Sequence, residues 1–166
     1  LRSFSGDHYS NDNIYRNLDS YNLFNQTNLE AQISGPILKD RLLFFTSFRK
    51  YHTHGWLSGL NTFSMYGDTL SNIEYRPMNW VDKWSLQNKF TLKLSALSKI
   101  RLSYIRSSEQ SQGYDHYRQM NQEGRSTQYN HGQFLGLNLS HTFSPRSFID
   151  INIASHYKIY ESKLFD

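Results

Sequence analysis

Asn28-Leu29-Glu30-Ala31-Gln32-Ile33-Ser34-Gly35-Pro36-Ile37-Leu38-Lys39-Asp40-Arg41-Leu42-Leu43-Phe44-Phe45-Thr46-Ser47-Phe48-Arg49-Lys50-Tyr51 reads as two strands of opposite direction joined by a tight turn. On the way out, Leu29, Ala31 and Ile33 alternate with Glu30, Gln32 and Ser34, which puts an apolar set on one face and a polar set on the other. Pro36 is tolerated near a strand end, and Ile37 to Arg41 supplies a short polar reversal. On the way back, Leu42, Phe44, Thr46 and Phe48 take one face and Ser47 and Arg49 the other.

The same unit recurs twice. Leu86, Phe90, Leu92 and Leu94 alternate with Ser85, Gln87, Lys89, Thr91 and Lys93; a turn at Ser95 to Lys99 leads to Ile100, Leu102 and Tyr104 against Arg101 and Ser103. Leu135, Leu137 and Leu139 alternate with Asn138, Ser140 and Thr142; the turn Ser144-Pro145-Arg146-Ser147 leads to Ile149, Ile151 and Ile153 against Asp150 and Asn152. Two lysines on one strand face are costly in a dry core and ordinary where that face lines water. With a partial strand in Leu1 to Asp7, the expectation is all-β: an antiparallel up-and-down meander of about seven strands.

Between these hairpins lie three long polar and aromatic stretches, Tyr9 to Asn25, His52 to about Lys83 and Ser107 to about His131, all read as loops. Connections thus alternate between about five residues and about twenty or more. A transmembrane barrel alternates in this way, with short turns on one side of the membrane and long loops on the other. Seven strands are too few to close one, so the chain reads as an open fragment of a transmembrane β-barrel, one domain over residues 1–166. The absence of a leader at Leu1 and of a natural stop after Phe165-Asp166 leads to the same expectation, a piece cut at both ends.

Composition fits that reading. Aromatic residues are 16% of the 166, with 12 Tyr, 11 Phe and 3 Trp, while the hydrophobic fraction is only 37% and the mean hydropathy −0.69. A barrel wall explains the pairing, because only alternate residues meet lipid and aromatic belts mark both interfaces. Phe143 and Phe148 beside a short turn, and Tyr51, Trp84, Tyr104 and Tyr157 toward the long loops, are the expected belts. No apolar run approaches the roughly 20 residues of a membrane helix. With no cysteine there is no disulfide or thiolate chemistry, and the net charge of +4 is scattered rather than gathered into a nucleic-acid-binding patch.

The stretch Asn28 to Phe45 resembles the early barrel hairpin of TonB-dependent outer-membrane receptors, of the type carrying an N-terminal carboxypeptidase-regulatory-like domain found in Bacteroidetes and related bacteria. Gly55-Trp56-Leu57-Ser58-Gly59, Arg76-Pro77-Met78-Asn79-Trp80, Tyr114-Asp115-His116 and His141-Thr142-Phe143-Ser144-Pro145-Arg146-Ser147-Phe148 resemble later landmarks of the same barrels, in the same order. The resemblance implies a bacterial outer-membrane importer with a 22-stranded barrel and an internal plug. It also implies energy supplied through TonB, ExbB and ExbD, and an unknown solute as ligand. Plug, TonB-contacting box and regulatory domain are not in this chain, which corresponds to the first third of such a barrel.

Candidate residues follow. Trp56, Tyr66, Tyr75, Trp80, Tyr114, Asp115, His116 and Tyr117 lie in the long loops, where flat rings offer contact area at low entropic cost. Glu30, Gln32, Arg49, Lys89, Lys93 and Arg101 are expected to face the lumen or the plug. His52 and His54 suggest a metal contact, but no spacing supplies three or four ligands, so no metal or other cofactor is expected. No phosphate loop, nucleophile elbow or metalloprotease helix is present, and Asp115 with Glu123 is no acid–base pair by spacing; an enzyme is not expected. The alternative reading is a soluble β-rich module that binds glycans or another ligand.

Overall fold

A computed structural model of the chain describes residues 1–10, 17–18 and 21–164. Part of the expected first long loop falls on residues 11–16 and 19–20 and lies outside the described residues. The strands are β1 (Arg2–Gly6), β2 (Gln26–Leu38), β3 (Leu42–His54), β4 (Ser58–Phe63), β5 (Thr69–Pro77), β6 (Trp80–Lys93), β7 (Ser98–Gln112), β8 (Thr127–Ser144) and β9 (Ser147–Lys163). Seven form one antiparallel meander in the order β1-β2-β3-β6-β7-β8-β9, and β4 pairs with β5 as a separate hairpin. The sheet does not close on itself, so β1 and β9 are its two edges.

The expected hairpins and their alternation are all present. The turns β2–β3, β6–β7 and β8–β9 lie together at one end, because Leu38 pairs Leu42, Lys93 pairs Lys99 and Ser144 pairs Ser147. Hydrogen bonds tie neighbouring turns: Lys93 N donates to Arg41 O at 2.7 Å and Thr142 N to Leu97 O at 2.9 Å. In the first turn Asp40 takes φ 59°, a left-handed conformation that a short polar side chain tolerates.

Two stretches expected to be loops are largely strand. Within residues 52–83, β3 continues to His54, β6 begins at Trp80 and the β4–β5 hairpin fills most of the rest. Within residues 107–131, β7 continues to Gln112 and β8 starts at Thr127, with only a single 3-10 turn, His116–Arg118, between them. Along the extension of β7, from Arg106 to Gln112, the residues are polar on both faces, so no alternation marks it.

Register gives the sheet two unlike faces. Reading across paired residues, one rung runs Gly35, Phe44, Phe90, Leu102, Leu137, Ile153, and another runs Leu42, Leu92, Ile100, Leu139, Ile151. These rungs and their same-face neighbours, including Ala31, Phe48, Leu86 and Leu135, form one apolar band across six strands. Within the band the polar pair Thr46 and Asn88 sits directly opposite and satisfies itself, Thr46 Oγ1 donating to Asn88 Oδ1 at 2.9 Å. Trp84 and Tyr157 lie on this face toward the long loops as expected, and Tyr104 shares the face but sits mid-strand opposite Asn88. Phe148 and Tyr51 do not: Phe148 pairs Thr142 on the polar face, and Tyr51 shares that face with Arg49, whose guanidinium stands 6.0 Å from the ring centroid.

No described residue packs over the band. Leu18 and Met78 are the buried large apolar residues among those described, whereas Leu102, Leu137, Ile151 and Ile153 are exposed. A folded 19.6 kDa monomer exposes about 8,600 Å² by the usual scaling. This chain exposes 11,861 Å². A single-layer sheet, wet or oily on each side, accounts for the excess.

Candidate functional site

The polar face gathers the six residues expected to line a lumen. Glu30 pairs Arg49, which pairs Ser85, and the same parity carries Gln32, Lys89, Lys93 and Arg101. Arg49 Nε donates to Asn28 Oδ1 at 2.9 Å, and Lys83 meets Glu109 at 3.5 Å. Lower on the same face Asp150 is ringed by Asn138, Ser140 Oγ at 3.1 Å and Asn152 Nδ2 at 3.1 Å. Arg101 Nε is buried there without a hydrogen-bond partner. Lys93, Lys99 and Arg101 therefore leave the short-turn end of this face cationic, suited to an acidic neighbour.

At the opposite end, the β4–β5 hairpin and residues 113–126 lock into one platform. Its centre is Arg125, 5% exposed. The guanidinium donates to Met78 O, to Gly113 O at 2.9 Å and to Gln122 O at 3.2 Å, joining three separate stretches. Burial pushes its pKa down, and the Asp115 carboxylate opposes that shift. Gln122 completes the joint: its Nε2 donates to Gly59 O at 2.9 Å and its backbone N to Asn61 Oδ1 at 3.1 Å. Met120 O accepts from Thr62 N at 3.0 Å and Phe63 N at 3.1 Å. Gly59 lets the Met78 side chain lie against the backbone here, where a Cβ would have to displace the Met78 methyl. At the surface Arg76 and Glu123 pair at 2.8 Å.

The eight loop residues expected to touch ligand divide accordingly. Tyr114, His116 and Tyr117 are brought together: the Tyr114 hydroxyl lies 2.9 Å from His116 Nδ1, and both Tyr rings sit 6.3 Å from the imidazole. Tyr117 is 97% exposed and Tyr66, at the β4–β5 tip, 83%. Asp115 faces inward to its own turn, capping it by accepting from Tyr117 N at 3.0 Å. Trp80 braces the platform, donating from Nε1 to Gln112 Oε1 at 3.0 Å, while Gln112 Nε2 reaches Arg125 O at 3.3 Å. Trp56 and Tyr75 are partly exposed on the hairpin side. Among the described residues no ring contact joins Tyr66 or Tyr75 to the 114–117 group.

Asp115 and Glu123 each have their own cation, Arg118 at 3.9 Å and Arg76 at 2.8 Å. His52 Nδ1 lies 3.3 Å from Asp82 and its ring packs edge-on against His54 at 4.8 Å. Among the described residues no three His, Cys, Asp or Glu converge as a metal site. Arg125, Gln122 and Asn61 are the residues that sequence reading missed. The trace of Gln122 and Arg125 is Gln122-Glu123-Gly124-Arg125 just before a strand, too short to read, and Asn61 has none.

Comparison with protein-family models, curated proteins and solved structures finds no match to this chain.

Proposed function

We propose that this chain is part of the wall of an outer-membrane barrel, in a TonB-dependent receptor that imports a solute by binding it at the outer loops and releasing it through energised gating. The observation that carries the reading is the register, which aligns the apolar side chains of six strands into one band that no described residue covers, and all short turns at one end. Lipid is the covering that suits such a band. From Leu92 to Trp84 on β6 it spans eight residue steps, about 26 Å along the strand and about 20 Å of height at a 40° tilt. That approaches the roughly 25 Å apolar belt of membrane barrels.

The polar face then lines the bore. Its cationic lower end suits contact with the plug of such a receptor, and the Arg125-centred platform is the ligand-facing part, with Tyr114, His116, Tyr117 and Tyr66 as the exposed surface. The sequence resemblance of Asn28 to Phe45 and of the later landmarks supports the same assignment. Binding and gating need no bond chemistry from these side chains. Fractionation of the cells that make the protein is the test: it belongs in the detergent-resistant outer-membrane fraction. Recovery in the soluble fraction without detergent would sink the reading and favour the soluble binding module.

A further inference from the structure

On the apolar face of the seven-stranded sheet, Lys and Arg are confined to one rim. The same-face strand positions toward the short turns are Leu42, Leu92, Ser98, Ile100, Leu139, His141 and Ile149, with no Lys or Arg among them; Lys39, Arg41 and Arg146 belong to the turns themselves. Toward the long loops the face carries Lys50, Arg106 and Lys163. Lys163 is paired with Glu161 at 3.0 Å. Among the described residues, Lys50 and Arg106 appear in no ion pair, and the nearby Asp82 is engaged by His52.

These two cations flank one indole. Lys50 pairs directly with Trp84, and Arg106 pairs with Leu86, one same-face step below, with its guanidinium 5.9 Å from the Trp84 ring. The two are separated by two strand spacings, about 10 Å, and by one step along the strand, about 7 Å, hence about 12 Å between Cα atoms. Extended Lys and Arg side chains reach about 6 Å each, so both heads can meet above Trp84. Trp84 lies where an interfacial ring belongs, at the upper edge of the band.

We infer that Lys50 and Arg106 hold the phosphate of an anionic lipid over Trp84, on the long-loop side of the membrane. The inference rests on the membrane reading above. Cations that merely snorkelled from the band would be expected at both rims; confinement to one rim matches a leaflet whose headgroups carry the negative charge. The occupant is a lipid rather than free phosphate because the site opens sideways onto the apolar band, where acyl chains continue the contact through Phe48 and Leu86.

The test uses the intact protein reconstituted into phosphatidylcholine nanodiscs containing either diphosphoryl lipid A or its dephosphorylated form, with retained lipid counted by native mass spectrometry. The phosphorylated form should be retained preferentially. Combining Lys50→Gln with Arg106→Gln should lower that retention about thirtyfold, at roughly a factor of five per cation. Lys89→Gln with Lys93→Gln, on the polar face, should leave it unchanged. Equal retention of both lipids, or an equal loss in both double variants, would overturn the inference while leaving the membrane reading intact. Failure of the protein to insert into any bilayer overturns both.

Discussion

Replacing Leu137 by Arg separates a lipid-covered sheet from one that water bathes on both sides. Leu137 is the middle of the outward run Leu135, Leu137, Leu139 and sits between Leu102 and Ile153, yet it is 42% exposed. In water, an exposed strand position of this kind loses only cross-strand contact on Leu137→Arg, about 0.2–1 kcal/mol. In a bilayer the same change puts a guanidinium near the midplane, at about 2–4 kcal/mol, or a factor of about 30 to 900 in the folding equilibrium. Gln87→Arg is the control: Gln87 pairs Ser47 and Ile105 on the polar face, where an added cation should cost no more than about 0.5 kcal/mol. Urea unfolding of the intact protein in phosphatidylcholine vesicles reads both. If Leu137→Arg costs no more than Gln87→Arg, the assignment of the two faces is wrong.

Arg125→Leu should cost about 3 kcal/mol locally, since it strands the carbonyls of Met78, Gly113 and Gln122; hydrogen exchange should rise across residues 55–79 and 113–126 while β6 to β9 stay protected. Asp7 is expected to give acid sensitivity at the β1–β2 connection. Burial pushes its carboxyl up, but donation from Asn22 N at 2.6 Å, Asn25 Nδ2 at 2.9 Å and His8 N at 2.8 Å outweighs this and holds the pKa below the usual value. Its folded pKa being the lower one, the stabilisation is present above the ordinary Asp range near about 4 and disappears as pH falls through the folded value; Asp7→Asn should flatten the pH dependence of exchange at residues 21–25. At the first turn Asp40, at φ 59°, should accept Gly within about 0.5 kcal/mol but lose about 1–2 kcal/mol as Asp40→Val, again by urea titration.

What the sequence made legible is the part of each strand that has unlike surroundings on its two sides. Leu86 to Leu92, Ile100 to Tyr104, Leu135 to Leu139 and Ile149 to Ile153 alternate because one face is apolar, and all four fall in the band. The six polar-face residues followed from the same period. Once β7 passes Tyr104, its residues are Arg106, Ser107, Ser108, Glu109, Gln110, and a strand with polar surroundings on both faces shows no period at all. The β4–β5 hairpin was hidden for another reason. Ser58-Gly59-Leu60-Asn61-Thr62-Phe63 is held by the carbonyl of Met120 and the side chain of Gln122, about sixty residues away in sequence, and no local pattern can announce a partner at that distance. Tyr51 failed as a belt residue because nearness to a strand end says nothing of face; its odd number, shared with Arg49, did.

The hidden strand ends bear on how the platform can work. On β8 the apolar run ends at Leu135, but the strand begins at Thr127, eight residues earlier. That is about 26 Å of paired strand, or about 20 Å of height at barrel tilt, above the band. The Arg125 joint stands at the top of this extension, two residues before Thr127, and Gln112 at the end of β7 contacts both Arg125 O and Thr127 Oγ1. Loops set on a flexible stalk would pay ordering entropy each time they gathered a ligand. Here β6, β7 and β8 remain paired up to Trp80, Gln112 and Gln128, and a buried guanidinium fastens the two long connections to one another before any ligand arrives. On the proposed reading, affinity for the solute should therefore depend on Arg125, which is buried, as strongly as on Tyr117, which is exposed. Loss of affinity on Tyr117→Ala with none on Arg125→Leu would mean that the platform's rigidity contributes nothing to binding.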